Sequence, residues 1–323
     1  MLTQRRCIDR LGKELMQLAN SAASIDPWYE WLLHLRHADD PTELHEVRNE
    51  TSRYAERVLE SARLAPGMTL ADIGSGEGVV AFKAIKRIGP GLQVILTDIS
   101  ASLLAHAQQI AILLGVQEQC TFLKCDAENM NGVQSSSVDV VTTRGVLAYV
   151  PDKIAALREF HRILKPGGRI SLAEPVMMDE ARATCALRTL VESAPPQDLH
   201  HFLPLMHRWK ASQFPDTAEA MALCPMTNYS ERDLVRYAQL CKFSDIHMEL
   251  HIDVRPVKVR SWEVFVSSAP HPLAPPLSVI LEQKFTSAER ILFEKTLRPI
   301  VEAADPFADD KVAYLTAVKP KKT

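Results

Sequence analysis

The chain has 323 residues, of which 46% are hydrophobic and 24% charged, a composition typical of a globular protein with a substantial core. Whole-chain disorder is therefore excluded, and the length predicts about two domains or one large domain with additions. Lys and Arg number 37 against 40 Asp and Glu, so the net charge of −3 provides no global positive field for nucleic acid or anionic lipid.

The N-terminal segment and the cysteines indicate a compartment. Two arginines, Arg5 and Arg6, stand near the start, but acidic residues interrupt the segment and no apolar stretch follows, so a signal peptide is not expected. No apolar run approaches the roughly 20 residues of a membrane span. The six cysteines form no CxxC pair and no disulfide-type framework. We expect a cytoplasmic protein with reduced thiols and with no membrane or nucleic-acid partner.

Residues 1–65 have a helical pattern and are expected to form an N-terminal helical cap. Between Trp28 and Leu35, apolar side chains recur at i, i+3, i+4 and i+7, which places them on one face of a helix. Another helix is expected to begin at Pro41 and to end before Pro66. Three helices are thus predicted before the first strand.

From residue 66 to residue 175, short apolar strands alternate with amphipathic helices. This alternation predicts a parallel sheet with helices on both faces, a doubly wound Rossmann-like α/β fold. Helix ends are followed by glycine or proline, as in residues 89–91. The five predicted strands are TLADIG, LQVILTD, TFLKCD, VDVVTTR and RISLAEPV.

The remaining chain contains two segments without this alternation. Residues 176–228 are rich in Met, His, Pro and Ala and are too long for a plain loop, so we expect a helical lid insertion. Residues 229–323 return to the core sheet with a helix opened by Ser230 and the strand-like DIHMELHIDV. A second helical insertion, over about 259–304, is expected to precede the last strand, VAYLTAVKP.

The strongest local feature is the glycine-rich turn from Asp72 to Gly78, where the first predicted strand passes into a helix. Glycines let a ligand approach the backbone closely, at the edge where open α/β sheets bind ligands. The spacing is G-x-G-x-G, whereas a dinucleotide fingerprint requires a further glycine where Val79 stands. No G-K-[ST] follows either, so a phosphate loop is not indicated.

Polar groups follow the next three strand ends as well. Asp98 closes the second strand, where a carboxylate can accept both hydroxyls of a ribose. Asp126 follows the third strand and is placed to meet an adenine amino group, with Ala127 supplying a backbone donor. Arg144 ends the fourth strand at the lip of the same crevice. Four consecutive strand ends therefore present polar groups to one cleft.

In these motifs the chain resembles the class I S-adenosylmethionine-dependent methyltransferases, in particular the branch near the ubiquinone/menaquinone C-methyltransferases. The resemblance covers residues 66–175 closely and the later helix and terminal strand more loosely. It implies a seven-stranded sheet whose last strand inserts antiparallel beside the fifth. The sequence departs from the family at Ser75, where the family often has cysteine. The motifs concerned are ADIGSGEG, LTDIS, CDAENM, VDVVTTRGVLAYV and LREFHRILKPGGRISLAEP.

The resemblance also implies S-adenosylmethionine as the cofactor and assigns residues to it. The glycine turn would wrap the methionine moiety, Asp98 would hold the ribose, and Asp126 with Ala127 would frame the adenine. The predicted cofactor-binding residues are Asp72, Gly74, Ser75, Gly76, Gly78, Asp98, Ile99, Asp126, Ala127 and Arg144.

Methyl transfer from a sulfonium is an in-line displacement that mainly requires alignment in a dry site, so no metal is expected. An oxygen, nitrogen or carbon acceptor must lose a proton to a base. A thioether acceptor instead becomes a cation, which aromatic faces or a carboxylate would hold. Glu174 is the predicted base or cation partner, and Tyr29 is the second predicted catalytic residue.

The acceptor is expected to contact side chains of the two covering segments. Trp28 and Trp31 suit helix packing equally well, whereas Tyr29 lies off their face. The predicted substrate-binding residues are Trp28, Tyr29, His34, Tyr54, Tyr149, His207 and Trp209.

Together these features predict a metal-independent methyltransferase with a small-molecule acceptor, because two covering segments imply an enclosed pocket. The acceptor is either a specialised metabolite or an amino-acid-like molecule. The reaction is S-methylation of a methionine-like thioether, or C- or O-methylation of a quinone, polyketide or isoprenoid. The alternatives are a tRNA- or protein-modifying methyltransferase and a non-methylating enzyme that binds S-adenosylmethionine. A homodimer is compatible with the helix-rich N-terminal cap and lid insertion.

Overall fold

The computed structural model describes residues 26–193, 201–256, 259–303 and 307–321. The described strands form one seven-stranded sheet of order β3-β2-β1-β4-β5-β7-β6. Strands β1 to β5 pair in parallel, and β7 lies antiparallel to both β5 and β6. The strands are β1 (Thr69–Ile73), β2 (Gln93–Asp98), β3 (Cys120–Lys124), β4 (Val138–Arg144), β5 (Leu164–Pro175), β6 (Ser244–Pro256) and β7 (Phe307–Val318).

This arrangement confirms the predicted doubly wound sheet, including the antiparallel last strand beside the fifth. In the part of the chain that the structure describes, no helix has the length and apolar character to cross a membrane. The helices are α1 (Pro27–Glu30), α2 (Pro41–Ala62), α3 (Val79–Ile88), α4 (Ala101–Leu113), α5 (Lys153–Ile163), α6 (Met178–Ser193), α7 (Phe202–Lys210), α8 (Ala218–Leu223), α9 (Glu231–Leu240), α10 (Trp262–Ser267), α11 (Leu277–Lys284) and α12 (Ser287–Val301).

Alternating side chains of the central strands build two separate apolar layers. Ala71 and Val141 point to the face that α5 and α9 cover, and both are fully buried. Their neighbours Leu70 and Val140 point to the opposite face, which α2, α3 and α4 cover. Strands buried on both faces read as continuous apolar runs, which explains why the sequence shows them so clearly.

The N-terminal segment is helical, as predicted, but it is not one regular α-helix. After α1, the chain forms a π-helical turn over Trp31–Leu35. Asp26 caps α1 by accepting hydrogen bonds from the amides of Trp28 and Tyr29. A π turn holds more residues than an α turn and so changes which side chains share a face. Of the three helices predicted before β1, the first lies outside the described residues.

The two insertions predicted to be helical contain α6 to α8 and α10 to α12. They share a third apolar cluster, in which Trp209 of α7 packs edge-on against Phe265 of α10 and Phe293 of α12. Burial of these large aromatic surfaces holds the two insertions together. They therefore form one helical layer over the carboxyl ends of the strands.

Hydrogen bonds join this layer to the N-terminal segment. The Trp31 indole Nε1 donates to the Ala269 carbonyl at 2.9 Å, and the Ala269 amide donates to the Leu35 carbonyl at 2.9 Å. Within the helical layer itself, the Gln213 amide Nε2 donates to the Pro275 carbonyl at 3.1 Å. We call residues 27–36, 202–214 and 260–277 together the roof.

Gly168, within β5, has no room for a side chain. A Cβ atom there would lie 2.8 Å from the Asp139 carbonyl oxygen and 2.9 Å from the Lys165 carbonyl oxygen, and backbone atoms cannot move aside cheaply. We expect Gly168→Ala to lower the free energy of unfolding by about 1–3 kcal/mol. Urea denaturation followed by circular dichroism measures this difference. An unchanged midpoint would contradict the close contact between the two strands.

Candidate functional site

A cavity of about 810 Å³ lies between the carboxyl ends of the parallel strands and the roof. Its floor contains residues that follow β1, β2, β3, β4 and β5. Its upper wall contains residues of all three roof segments, among them Trp28, Trp209 and Phe265. The parallel arrangement thus brings strand ends that are far apart in the sequence into one enclosed space.

The glycine turn after β1 forms part of the floor, because Gly74 and Gly76 line the cavity. Gly74 has a φ of +59°, and a Cβ atom there would lie 2.5 Å from a Val146 methyl carbon. Only glycine therefore suits this position. Ser75 does not line the cavity, and its buried Oγ has no hydrogen-bond partner among the described residues. Gly78 caps the start of α3 and does not line the cavity.

Asp72 lies beneath the turn and does not line the cavity. Its carboxylate accepts a hydrogen bond from the Thr142 hydroxyl at 2.9 Å and one from the Ala81 amide at 3.2 Å. Burial raises the pKa of Asp72 to about 7. Asp72 thus joins β1, β4 and the first turn of α3, and so positions the glycine turn.

Asp98 faces the cavity at the end of β2. One carboxylate oxygen accepts from the Gly76 amide at 2.9 Å and the other from the Ser100 amide at 2.9 Å. Burial raises the pKa of Asp98, while both amide hydrogen bonds act in the opposite direction. Ile99, which also lines the cavity, has 46% of its surface exposed and provides an apolar shelf beside the carboxylate. This pairing suits a ribose with an attached flat base.

Asp126 and Ala127 line the same part of the cavity after β3. The Asp126 carboxylate accepts from the Glu128 amide at 2.9 Å, which fixes the turn. Leu103 and Cys125 complete this end of the cavity. Neither residue was predicted to bind the cofactor, although Cys125 begins the motif CDAENM.

Arg144 lines the cavity at the end of β4, as its position in the sequence predicts. Burial and the nearby charge of Arg36 lower the pKa of Arg144 to about 10, so its guanidinium stays charged at neutral pH. Within the described ranges Arg144 has no hydrogen-bonded carboxylate, whereas Arg36 pairs with Glu50 at 3.2 Å. A guanidinium of this kind is available to an anionic ligand group.

Glu174 is fully buried below the floor rather than exposed to the cavity. Its carboxylate accepts from the Thr143 hydroxyl at 2.5 Å and from the Val146 and Ala148 amides at 2.9 and 3.3 Å. Burial raises the pKa of Glu174 to about 7. This placement argues against the predicted role as a base, because the carboxylate is bonded to the loop after β4 and Glu174 does not itself line the cavity. Glu174 instead holds the loop that carries Tyr149.

Three other predicted residues lie outside the cavity. The Tyr29 ring packs edge-on against His106, with ring centroids 6.4 Å apart. His34 bonds to Asp39 at 2.9 Å on the surface. His207 bonds to Asp216 at 3.1 Å within the helical layer. The π turn and the closing of the roof direct these side chains away from the floor.

The remaining predicted substrate-binding residues, Trp28, Tyr54, Tyr149 and Trp209, all line the cavity. The rings of Trp28 and Tyr149 meet edge-on with centroids 4.9 Å apart. Burial raises the pKa of Tyr149 far above its ordinary value, so its hydroxyl stays protonated. The structure therefore brings an aromatic pair to the boundary between floor and roof.

Several roof residues of the cavity wall were not singled out from the sequence. They include Arg36, Lys210, Arg260 and Phe265. Trp31, which was weighed as a packing residue, also lines the wall. No local pattern marks these positions, because they meet only when distant segments pack together.

Residues 64–216 match a family model described as a methyltransferase domain. A stretch of 116 residues is 34% identical to the ubiquinone/menaquinone biosynthesis C-methyltransferase of Cellvibrio japonicus, covering 36% of this chain and 46% of that protein. A stretch of 118 residues is 36% identical to the tRNA 5-carboxymethoxyuridine methyltransferase of Escherichia coli, covering 36% and 43%. The matched stretch thus spans less than half the length of either relative.

The fold is also similar to a solved structure. A Bacillus halodurans protein assigned to the methyltransferases superposes with a TM-score of 0.51 at 17% identity, covering 83% of this chain and 99% of that one. Residues 64–216 therefore carry a methyltransferase domain, as the resemblance seen in the motifs implies, and the fold agrees with that of the solved structure. The cofactor of this domain is S-adenosylmethionine.

The residues of the floor fit this cofactor. Asp98 has lone pairs left for ribose hydroxyls, and Ile99 offers a surface for the adenine. The unpaired Ser75 hydroxyl and the charged Arg144 are polar groups without partners in the described structure. Arg144 is complementary to the carboxylate of the methionine moiety. No group of three or more His, Cys, Asp and Glu side chains in the described ranges could hold a metal ion.

If Glu174 positions the loop, Glu174→Gln should retain methyl transfer within about threefold of the wild-type rate. The Gln oxygen can accept from the two amides, and its NH₂ group can donate to the Thr143 oxygen, so every partner stays bonded. The rate is measured as single-turnover formation of S-adenosylhomocysteine, with an acceptor identified by incubation with a pooled small-molecule extract. A loss of 100-fold or more with intact cofactor binding would restore the role of a base.

The raised pKa values of Asp72 and Glu174 make stability depend on pH. In the unfolded chain these groups titrate near pH 4, so the folded state holds their protons more tightly. The free energy of unfolding should therefore fall as pH rises from about 4 to 7. Urea titrations at several pH values measure the slope, which Glu174→Gln should make shallower. An equal slope in wild type and variant would contradict the assignment.

Proposed function

We propose that this protein is a methyltransferase that moves the methyl group of S-adenosylmethionine to a small-molecule acceptor. The observation that carries the proposal is that the roof covers the strand ends. The Trp31–Ala269 hydrogen bond holds the roof segment at 260–277 to the N-terminal segment, and Gln213 binds the same segment at Pro275. A covered pocket of about 810 Å³ suits the cofactor and a small molecule together.

When bound, the cofactor supplies an electrophilic methyl group on a sulfonium. The chain's own residues then align and desolvate the reactants, which is the main requirement of an in-line displacement. Asp98 would hold the nucleoside end, the glycine turn would wrap the methionine moiety, and Arg144 would hold the carboxylate of that moiety. Trp28 and Tyr149 provide aromatic faces at the junction of floor and roof, where they exclude water.

The acceptor atom remains open between sulfur, carbon and oxygen. A methionine-like thioether needs no base, and the aromatic faces of Trp28 and Tyr149 would stabilise the cation that it becomes. A carbon or oxygen acceptor needs a base, and neither the buried Glu174 nor the protonated Tyr149 hydroxyl suits that role.

The primary experiment is calorimetric titration with S-adenosylmethionine, followed by incubation with a pooled small-molecule extract and mass detection. Cofactor binding, a product heavier by one methyl group and release of S-adenosylhomocysteine would support the proposal. Methylation confined to tRNA or protein would replace the small-molecule acceptor. Consumption of the cofactor without S-adenosylhomocysteine would indicate a reaction other than methyl transfer.

The ribose assignment is tested by Asp98→Ala, with Glu118→Ala as the control. Loss of the Asp98 carboxylate removes two charge-assisted hydrogen bonds to the ribose, so the Kd for S-adenosylmethionine should rise about 100-fold. Glu118 is exposed on the surface outside the cavity, so its variant should bind as the wild type does. Unchanged affinity in folded Asp98→Ala protein would refute the ribose assignment.

A further inference from the structure

The roof presents two hydrogen-bond donors that the structure leaves without partners. Trp209, at the end of α7, is 9% exposed, and its indole Nε1 is buried with no acceptor among the described residues. The next residue, Lys210, places its Nζ 4.5 Å from the centroid of the Trp209 ring. Both residues line the cavity. A buried N–H without a partner costs free energy unless a ligand satisfies it.

Lys210 differs from the other lysine and arginine residues of the cavity wall above the floor. Arg36 pairs with Glu50 at 3.2 Å, Arg260 with Glu43 at 2.9 Å, and Lys311 with Asp179 at 3.2 Å. Within the described ranges Lys210 forms no ion pair, and Glu180 acts on it only at longer range. Burial lowers the pKa of Lys210, which is the effect expected of a cation that lacks a counter-ion.

Two interactions within the protein could explain the position of Lys210 without a ligand. A lysine in the last turn of a helix interacts favourably with the helix dipole, and its ammonium group gains from the Trp209 ring. Neither role accounts for the unpaired indole N–H beside it. An anionic oxygen group at Lys210 would neutralise its charge, and a turn of the Trp209 ring toward that group would give the indole N–H an acceptor.

We propose that Trp209 and Lys210 bind an anionic oxygen group of the acceptor, a carboxylate or a phosphate. Its identification as the acceptor's own group rests on the proposed function, whereas the anion site stands on the roof geometry alone. The proposal favours an amino-acid-like or other acid-bearing acceptor over a neutral quinone. The aromatic walls would contact the apolar body of such a molecule while its acidic group lies at Lys210.

The test uses two fluorescent probes that differ in one group, anilinonaphthalene sulfonate and the uncharged phenylnaphthylamine. Each is titrated into the full chain, with S-adenosylhomocysteine present to block the floor. We expect Lys210→Met to weaken sulfonate binding about 10-fold or more and to leave phenylnaphthylamine binding unchanged. Lys210→Arg should restore sulfonate binding. Lys86→Met, an exposed change of equal charge outside the cavity, is the matched control.

Displacement of the bound sulfonate by phenylacetate or by phenyl phosphate then separates a carboxylate site from a phosphate site. Equal loss of both probes in Lys210→Met, or equal sulfonate binding in Lys210→Met and Lys86→Met, would overturn the anion site. If S-adenosylmethionine fails to bind, the proposed function falls, and the same probe titrations without S-adenosylhomocysteine still decide the anion site. Failure of one proposal is therefore distinguishable from failure of the other.

Discussion

Buried carboxylates at the strand ends organise the floor on which the rest of the site depends. Asp72 joins β1 to β4, Asp98 joins β2 to the glycine turn, and Glu174 joins β5 to the loop after β4. Each carboxylate accepts backbone amide hydrogen bonds that loops leaving a sheet would otherwise lack. Only Asp98 also faces the cavity. Of these three carboxylates, Asp72 and Glu174 hold loops, whereas Asp98 can also contact a ligand.

The sheet and the cofactor end of the cavity were predictable because their signals are local. Strands buried on both faces show as apolar runs, and a backbone with a φ of +59° at Gly74 requires glycine. Asp98, Asp126 and Arg144 follow from the rule that parallel strands end at one edge. Glu174 obeys the same rule but is buried by the loop after β4, and no sequence pattern reports how that loop folds back.

The acceptor-binding end of the cavity was predicted less well, because its wall is formed by the roof. The π turn over Trp31–Leu35 changes the faces of the N-terminal segment, so Trp28 reaches the cavity while Tyr29 packs on His106. Lys210 and Arg260 come from segments far apart in the sequence. The family match ends at residue 216, before the roof segment at 260–277. The part of the wall that is most able to discriminate acceptors therefore lies partly outside the match.

The hydrogen bond between Trp31 and Ala269 spans 238 residues of sequence, and this separation affects how the protein is made. During synthesis the N-terminal aromatic side chains emerge long before their partners, and contacts of such high sequence separation form late. The sheet strands β1 to β5 can pair while Trp28 and Trp31 are still exposed to water. Trp31 consequently stays without this partner until residue 269 has been synthesised.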